Sequence, residues 1–212
     1  MRTRAALAAV FLVAAIGGCS TVPSTSKQVR VGALDAAFRE VVPPRVEQPL
    51  VAGLPLVVGE IWGNTSTKPV ARLPASFGGV IHLSTSELAQ RIAPLATAPT
   101  PAMRQHGPSI DPPDTRLARV GTFFYDARTD EAVLGAGFYD AVTKDPMLLV
   151  FVDRPCRITG MSVSGIEQAA FDVAIPSAGL HWLRIRLPEP QRAVLTYDDG
   201  RGAILFATKS RD

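Results

Sequence analysis

The sequence predicts a mostly β protein, an antiparallel β-sandwich for which an immunoglobulin-like form is one option, carrying one or two short helices in its N-terminal part. Three observations carry this prediction. From Leu117 onward, short aliphatic, aromatic and β-branched runs alternate with turn residues at a spacing of about ten, the mark of a sandwich or barrel. Met147 to Val152 is apolar throughout, as a central strand covered on both faces must be. Asp198-Asp199-Gly200-Arg201-Gly202 separates the last two apolar runs and reads as a hairpin turn, because glycine tolerates positive φ.

The elements follow in chain order. Asp35 can cap a short helix with Leu34, Phe38 and Val41 on one side, stopped by Pro43-Pro44. Leu54 to Trp62 and Gly78 to Leu83 are β-like. Ser84-Thr85-Ser86-Glu87 has capping-box spacing and opens a helix through Leu88 and Ile92 that ends near Pro94. Residues 94–116 carry six prolines, which argues against helix or central strand and predicts a long loop or linker. The expected strands thereafter are Val120–Tyr125, Ala132–Ala141, Met147–Val152, Arg157–Val163, Ala170–Ile175, Leu180–Leu187, Ala193–Tyr197 and Ala203–Thr208. Residues 29–93 thus form a mixed segment and 117–212 the sandwich.

The N-terminus carries an address. Arg2 and Arg4 precede an apolar run from Ala5 to Ile16, the parts of a secretory signal over residues 1–18. A membrane-spanning helix needs roughly 18–20 apolar residues, and this run is shorter. Ile16-Gly17-Gly18-Cys19 places an aliphatic residue and two small ones before cysteine. The segment resembles the signals cleaved by lipoprotein signal peptidase. The resemblance implies that Cys19 receives lipid, that residues 1–18 are removed, and that two or three acyl chains hold the protein to a membrane. Ser20 after the cysteine implies, by the same resemblance, the outer membrane and a periplasmic face. Residues 19–28, short and polar with one proline, read as a lipidated tether. In architecture the chain is similar to small lipoproteins of secretion and envelope-assembly machines, including that of the type VI secretion membrane complex, without a motif that aligns residue by residue. The peptidoglycan-binding motif of the OmpA-like domain is not apparent.

Charge excludes one class. Removing Arg2 and Arg4 from the 22 basic residues leaves near balance with the 19 acidic ones, so there is no electrostatic case for nucleic acid. With Cys19 lipidated, Cys156 is the remaining cysteine. Flanking Arg154 and Arg157 could stabilise a thiolate, but a small buried residue at a strand end is the favoured reading.

Catalytic signatures are weak. Gly160-Met161-Ser162-Val163-Ser164-Gly165 approaches a nucleophile elbow but has serine where the last glycine belongs, and a polar loop explains it better. His82, His106 and His181 share no short motif, so no metal site is expected. Asp126 to Glu131 reads as a turn and lacks the ligand pattern of a calcium loop. Glycosidase carboxylates cannot be chosen from Glu60, Asp140, Asp145, Asp153 and Asp199. No cofactor is implied.

The stretch Leu180 to Leu187 is the most informative. Alternation sends Leu183, Ile185 and Leu187 inward with His181, and Trp182, Arg184 and Arg186 to the opposite face. A tryptophan beside two arginines can stack on sugar rings and contact phosphate or carboxylate. The competing reading covers Trp182 with the N-terminal segment and leaves the arginines in ion pairs. The expected function is a non-enzymatic, lipid-anchored module that binds or scaffolds an envelope protein or glycan. The alternative is a periplasmic hydrolase assembled from separated residues such as Asp126, His181 and Glu60.

Overall fold

The structure, a computed structural model, describes residues 26–34, 37–41, 52–59, 65–75, 78–126, 132–164 and 167–209. In the N-terminal part these form β1 (Ser26–Leu34), β2 (Glu40–Val41), β3 (Ala52–Gly59), β4 (Thr65–Ala75), β5 (Val80–Ser84), α1 (Thr85–Ile92), α2 (Pro101–His106) and β6 (Ser109–Asp111). The C-terminal part forms β7 (Leu117–Asp126), β8 (Ala132–Asp140), β9 (Pro146–Val152), β10 (Cys156–Ser164), β11 (Glu167–Ile175), β12 (Gly179–Glu189), β13 (Arg192–Asp198) and β14 (Ile204–Lys209). The protein is mostly β, with its short helices in the N-terminal half. Each strand expected after Leu117 is present.

Among the described residues, fourteen strands join edge to edge in one mostly antiparallel open sheet, in the order β2-β1-β14-β8-β7-β9-β12-β13-β11-β10-β6. β3 adds to β7 and carries β4, while β5 adds to β1. The pairs β1–β14 and β11–β13 are parallel. This pairing does not mark out an immunoglobulin-like order. Because β1 pairs with β14 and β3 with β7, strands of the N-terminal and C-terminal parts share one sheet.

Two apolar clusters explain the path of the chain. Met147, Leu149 and Phe151 of β9 face the first, with Val29, Val31, Val120, Phe138, Trp182, Ile204 and Phe206. Val150 and Val152 face the second, with Leu183, Leu195, Phe171, Val173 and Ile158. The uninterrupted apolar run of β9 therefore has the cause expected of it: neighbours β7 and β12 on its edges and a core on each face. α1 closes the first cluster with Leu88 and Ile92. Its start is capped by Ser84 Oγ, which accepts from the Glu87 N–H at 3.3 Å, while the Glu87 carboxylate turns to Arg91 one turn on.

Four local expectations are corrected. The helix expected after Asp35 is absent: Leu34 ends β1, Phe38 takes φ 59° in a turn, and Val41 lies in β2. A span this short before Pro43 cannot nucleate a stable helix, and pairing of Leu34 with Lys209 claims it for the sheet. Asp35 and Pro43-Pro44 lie outside the described residues. The proline-rich segment is more ordered than a linker. Pro101 sits in the first turn of α2, where its missing N–H costs nothing, and Thr100 caps that turn. Thr97 and Leu117 exchange backbone hydrogen bonds of 3.1 and 2.9 Å, closing the segment on itself. β1 also takes Ser26, Lys27 and Gln28, which the sequence assigns to the tether.

The fourth correction concerns the Asp198–Gly202 turn. It does not join a hairpin: β13 pairs with β11 and β12, whereas β14 pairs with β1 and β8. The turn instead carries the chain over Trp182. Gly200 has φ +67°, and a Cβ there would lie 2.5 Å from Trp182 Cδ1. Gly78 has a similar φ of +78° with nothing within 4 Å. Gly78→Ala should therefore show only the left-handed backbone cost, about 1 kcal/mol. Gly200→Ala adds a packing cost of about 1–3 kcal/mol. Equal losses in urea denaturation would contradict the seat of Trp182 beneath the turn.

Candidate functional site

The face of β12 that sequence alternation singles out is one face, but it is not uniformly open. At its start Trp182 lies opposite Leu149 of β9 and Asp198 of β13. Its ring meets Phe138 edge-on, centroids 4.9 Å apart, and the Gly200 turn crosses over it. Only 5% of Trp182 is exposed. It is a core residue and cannot stack on a sugar.

Arg184, two residues on, is the hub of a charge network. Its Nε and one terminal nitrogen donate to Asp198 Oδ2 at 3.0 and 2.8 Å, and that same nitrogen reaches Asp140 Oδ2 at 2.8 Å. The other terminal nitrogen donates to Thr143 Oγ1 at 3.0 Å and Asp145 Oδ2 at 3.2 Å. The planar fork of arginine fits this many acceptors; lysine would not. The network ties the β8–β9 turn to β12 and β13. Asp140 is itself anchored, its Oδ1 accepting from the N–H groups of Val142 and Thr143 at 2.9 and 2.7 Å. Asp198 Oδ1 accepts from the Gly200 N–H at 2.8 Å, holding the turn over Trp182. Lys144 and Arg30 both donate to Glu40, and Lys27 donates to the carbonyls of Gly200 and Gly202.

These contacts set an acid limit. Burial opposes charge on Asp140, but the Thr143 and Val142 N–H groups and the Arg184 guanidinium outweigh it and bring its pKa down to about 2. Glu40 falls to about 2 through Arg30 and then Lys144. Both folded values lie below the unfolded ones, so their stabilisation is present above about pH 4 and is lost as pH falls toward 2. Urea midpoints should drop across that window, and Asp140→Asn, which keeps an acceptor for both N–H groups, should flatten the drop. An unchanged profile in Asp140→Asn would contradict the assignment.

Arg186 alone of the three candidates is exposed, and it makes no ion pair with another described residue. Register places it in a row with Val194, Ala170 and Met161 across β13, β11 and β10. The next row on that face joins Arg192, Gln168 and Val163. Met161 is 48% exposed and Val163 60%. The open part of the face is therefore Arg186, Arg192, Met161 and Val163, displaced from the tryptophan. Sequence reasoning missed the two apolar members because it weighed this stretch for Ser162 and assigned no face to its neighbours. They point outward, and Ser162 is half-buried within β10, the strand expected at Arg157–Val163, and not in the polar loop that was offered for it. Leu187, expected inward, is 55% exposed beyond the end of the second cluster.

Of the other singled-out residues, Asp140 and Asp145 meet at Arg184. His181 lies half-buried on the second-cluster side, with Nε2 2.8 Å from the Ser177 carbonyl and its ring beside Tyr197. Burial lowers its pKa, against the pull of that carbonyl. Glu60 lies outside the described residues, as do Cys19 and the turn after Asp126. His82 is exposed beside a cleft of about 100 Å³ that Ala71, Leu73, Ser84, Glu87 and Arg91 also line. Small-molecule pockets run to roughly 300–1,000 Å³.

Cys156 opens β10 and is buried. Burial first, and then the Asp153 charge, push its thiol up to about 11. Thiolate chemistry at neutral pH is thereby suppressed. In a Cys19→Ser background, a thiol-specific disulfide reagent should leave the native protein unmodified and react fully in urea. Rapid labelling of the native state would overturn this.

No family model, curated protein or solved structure matches the chain.

Proposed function

We propose that this chain is a lipid-anchored envelope lipoprotein, a non-enzymatic module held to the outer membrane, facing the periplasm, that binds or scaffolds an envelope protein or glycan. The observation that carries the reading is the Ile16-Gly17-Gly18-Cys19 box directly after a short apolar run with two leading arginines. The start of β1 at Ser26 is consistent with it. Residues 20–25 then separate the lipid from the sheet, a reach of about 20 Å if extended.

The binding half of the proposal moves from Trp182 and Arg184, which are committed to the core and to carboxylates, to the open face around Arg186. An exposed arginine beside two exposed apolar side chains is the composition of an interface patch. Asp140 and Asp145, carboxylates that the hydrolase alternative could draw on, are both committed to Arg184.

The test is photocrosslinking in living cells from positions 161, 163 and 186, with position 182 as the buried control. A single envelope protein or glycan captured from the open face, and lost on Met161→Asp, supports the reading. Captures confined to other surfaces of the domain retire the face. In the same cells, Cys19→Ser should move the protein from the membrane to the soluble periplasmic fraction.

A further inference from the structure

The geometry points to β1 as a clamp built to bear tension between the membrane anchor and the rest of the domain; which end carries the load rests on the anchored reading above. β1 is bonded along both edges. On one edge, Val29 to Leu34 run parallel to Ile204 to Lys209 of β14. On the other, Ser26 to Arg30 run antiparallel to β5, Val31 exchanges 2.9 Å hydrogen bonds with Gly78 and Gly79, and Ala33 and Leu34 pair with β2. Val29 and Val31 are fully buried in the first cluster. Two cationic side chains fasten the strand further: Lys27 to the carbonyls of the Gly200 turn, and Arg30 by a two-pronged pair, 2.8 and 2.7 Å, to Glu40.

Direction matters more than bond count. A pull leaving Ser26 along the axis of β1 runs across the hydrogen bonds of its ladders, because rungs lie roughly perpendicular or slanted to the strands. With β14 parallel to β1, resistance at the Lys209 end loads those rungs together. None can open before its neighbours share the strain, so rupture is a single cooperative event governed by the unfolding barrier. A peeling pull on two neighbouring strand starts breaks rungs one at a time.

The test compares the two geometries by single-molecule pulling on the unlipidated chain from residue 19 to residue 212. In the first, Cys19 and Asp212→Cys carry the handles. In the second, Cys19→Ser, Gln168→Cys and Gln191→Cys place them at the adjacent starts of the parallel strands β11 and β13. The clamp predicts one-step rupture at a higher force in the first geometry. Equal or lower force there, or β1 stripping away in an early low-force step, overturns it. No lipid enters this measurement, so a weak β1 defeats the clamp alone, whereas an unlipidated Cys19 in cells defeats the anchored reading alone.

Discussion

Trp182→Ala is expected to destabilise the protein by about 3–5 kcal/mol, the range for removing a large aromatic from a packed core. The indole sits beneath the Gly200 turn, against Phe138, in the cluster that also holds Phe206. Its removal leaves a void where both the β13–β14 crossing and the inner face of β9 lose contacts. For a chain of 212 residues each kcal/mol shifts Tm by roughly 2–4 °C, so a loss on the order of 10 °C is predicted. Trp182→Phe should lose less than half as much. If Trp182→Ala left Tm unchanged while abolishing capture of a partner, Trp182 would be a binding residue after all.

Arg184→Ala has the next largest expected effect, about 2–4 kcal/mol. Removing one partner from a desolvated charge network strands the carboxylates it compensated. Here Asp140 and Asp198 are nearly buried, with side chains 9% and 14% exposed, and Arg184 itself is 16% exposed. Asp145 is more open and contributes less. Arg184→Lys should recover part of the loss only, because an ammonium cannot serve Asp198, Asp140, Asp145 and Thr143 at once. Arg184→Ala combined with Asp198→Ala should cost less than the two singles added, since the second change removes a charge the first left unpaired. Strict additivity in denaturant titrations would contradict the network.

The contrast between these two residues and Arg186 shows what a strand pattern can and cannot convey. Alternation along Leu180 to Leu187 correctly puts Trp182, Arg184 and Arg186 on one face, because the period of two is local geometry. What covers that face is not local. The Gly200 turn arrives over Trp182 from the far end of β13, and Asp140 reaches Arg184 from another hairpin. The same limit explains the last two strands. Asp198 to Gly202 has every mark of a turn, but a turn motif does not name the pairing partners of its flanks, and β14 is drawn to β1 and β8 instead. Where burial fills both faces, as in Met147 to Val152, or where a cap is chemical, as at Ser84, the sequence is enough to place the element. Which apolar residues of a strand stay exposed, as Met161 and Val163 do, depends on what packs over that face and is not local either.

The most direct test of the account is intact-mass and N-terminal peptide analysis of the protein extracted from the cells that make it. The account predicts that the first peptide begins at Cys19 and carries a diacylglycerol with an acylated α-amine. A chain that retains residues 1–18, or one that begins elsewhere with an unmodified Cys19, would contradict it.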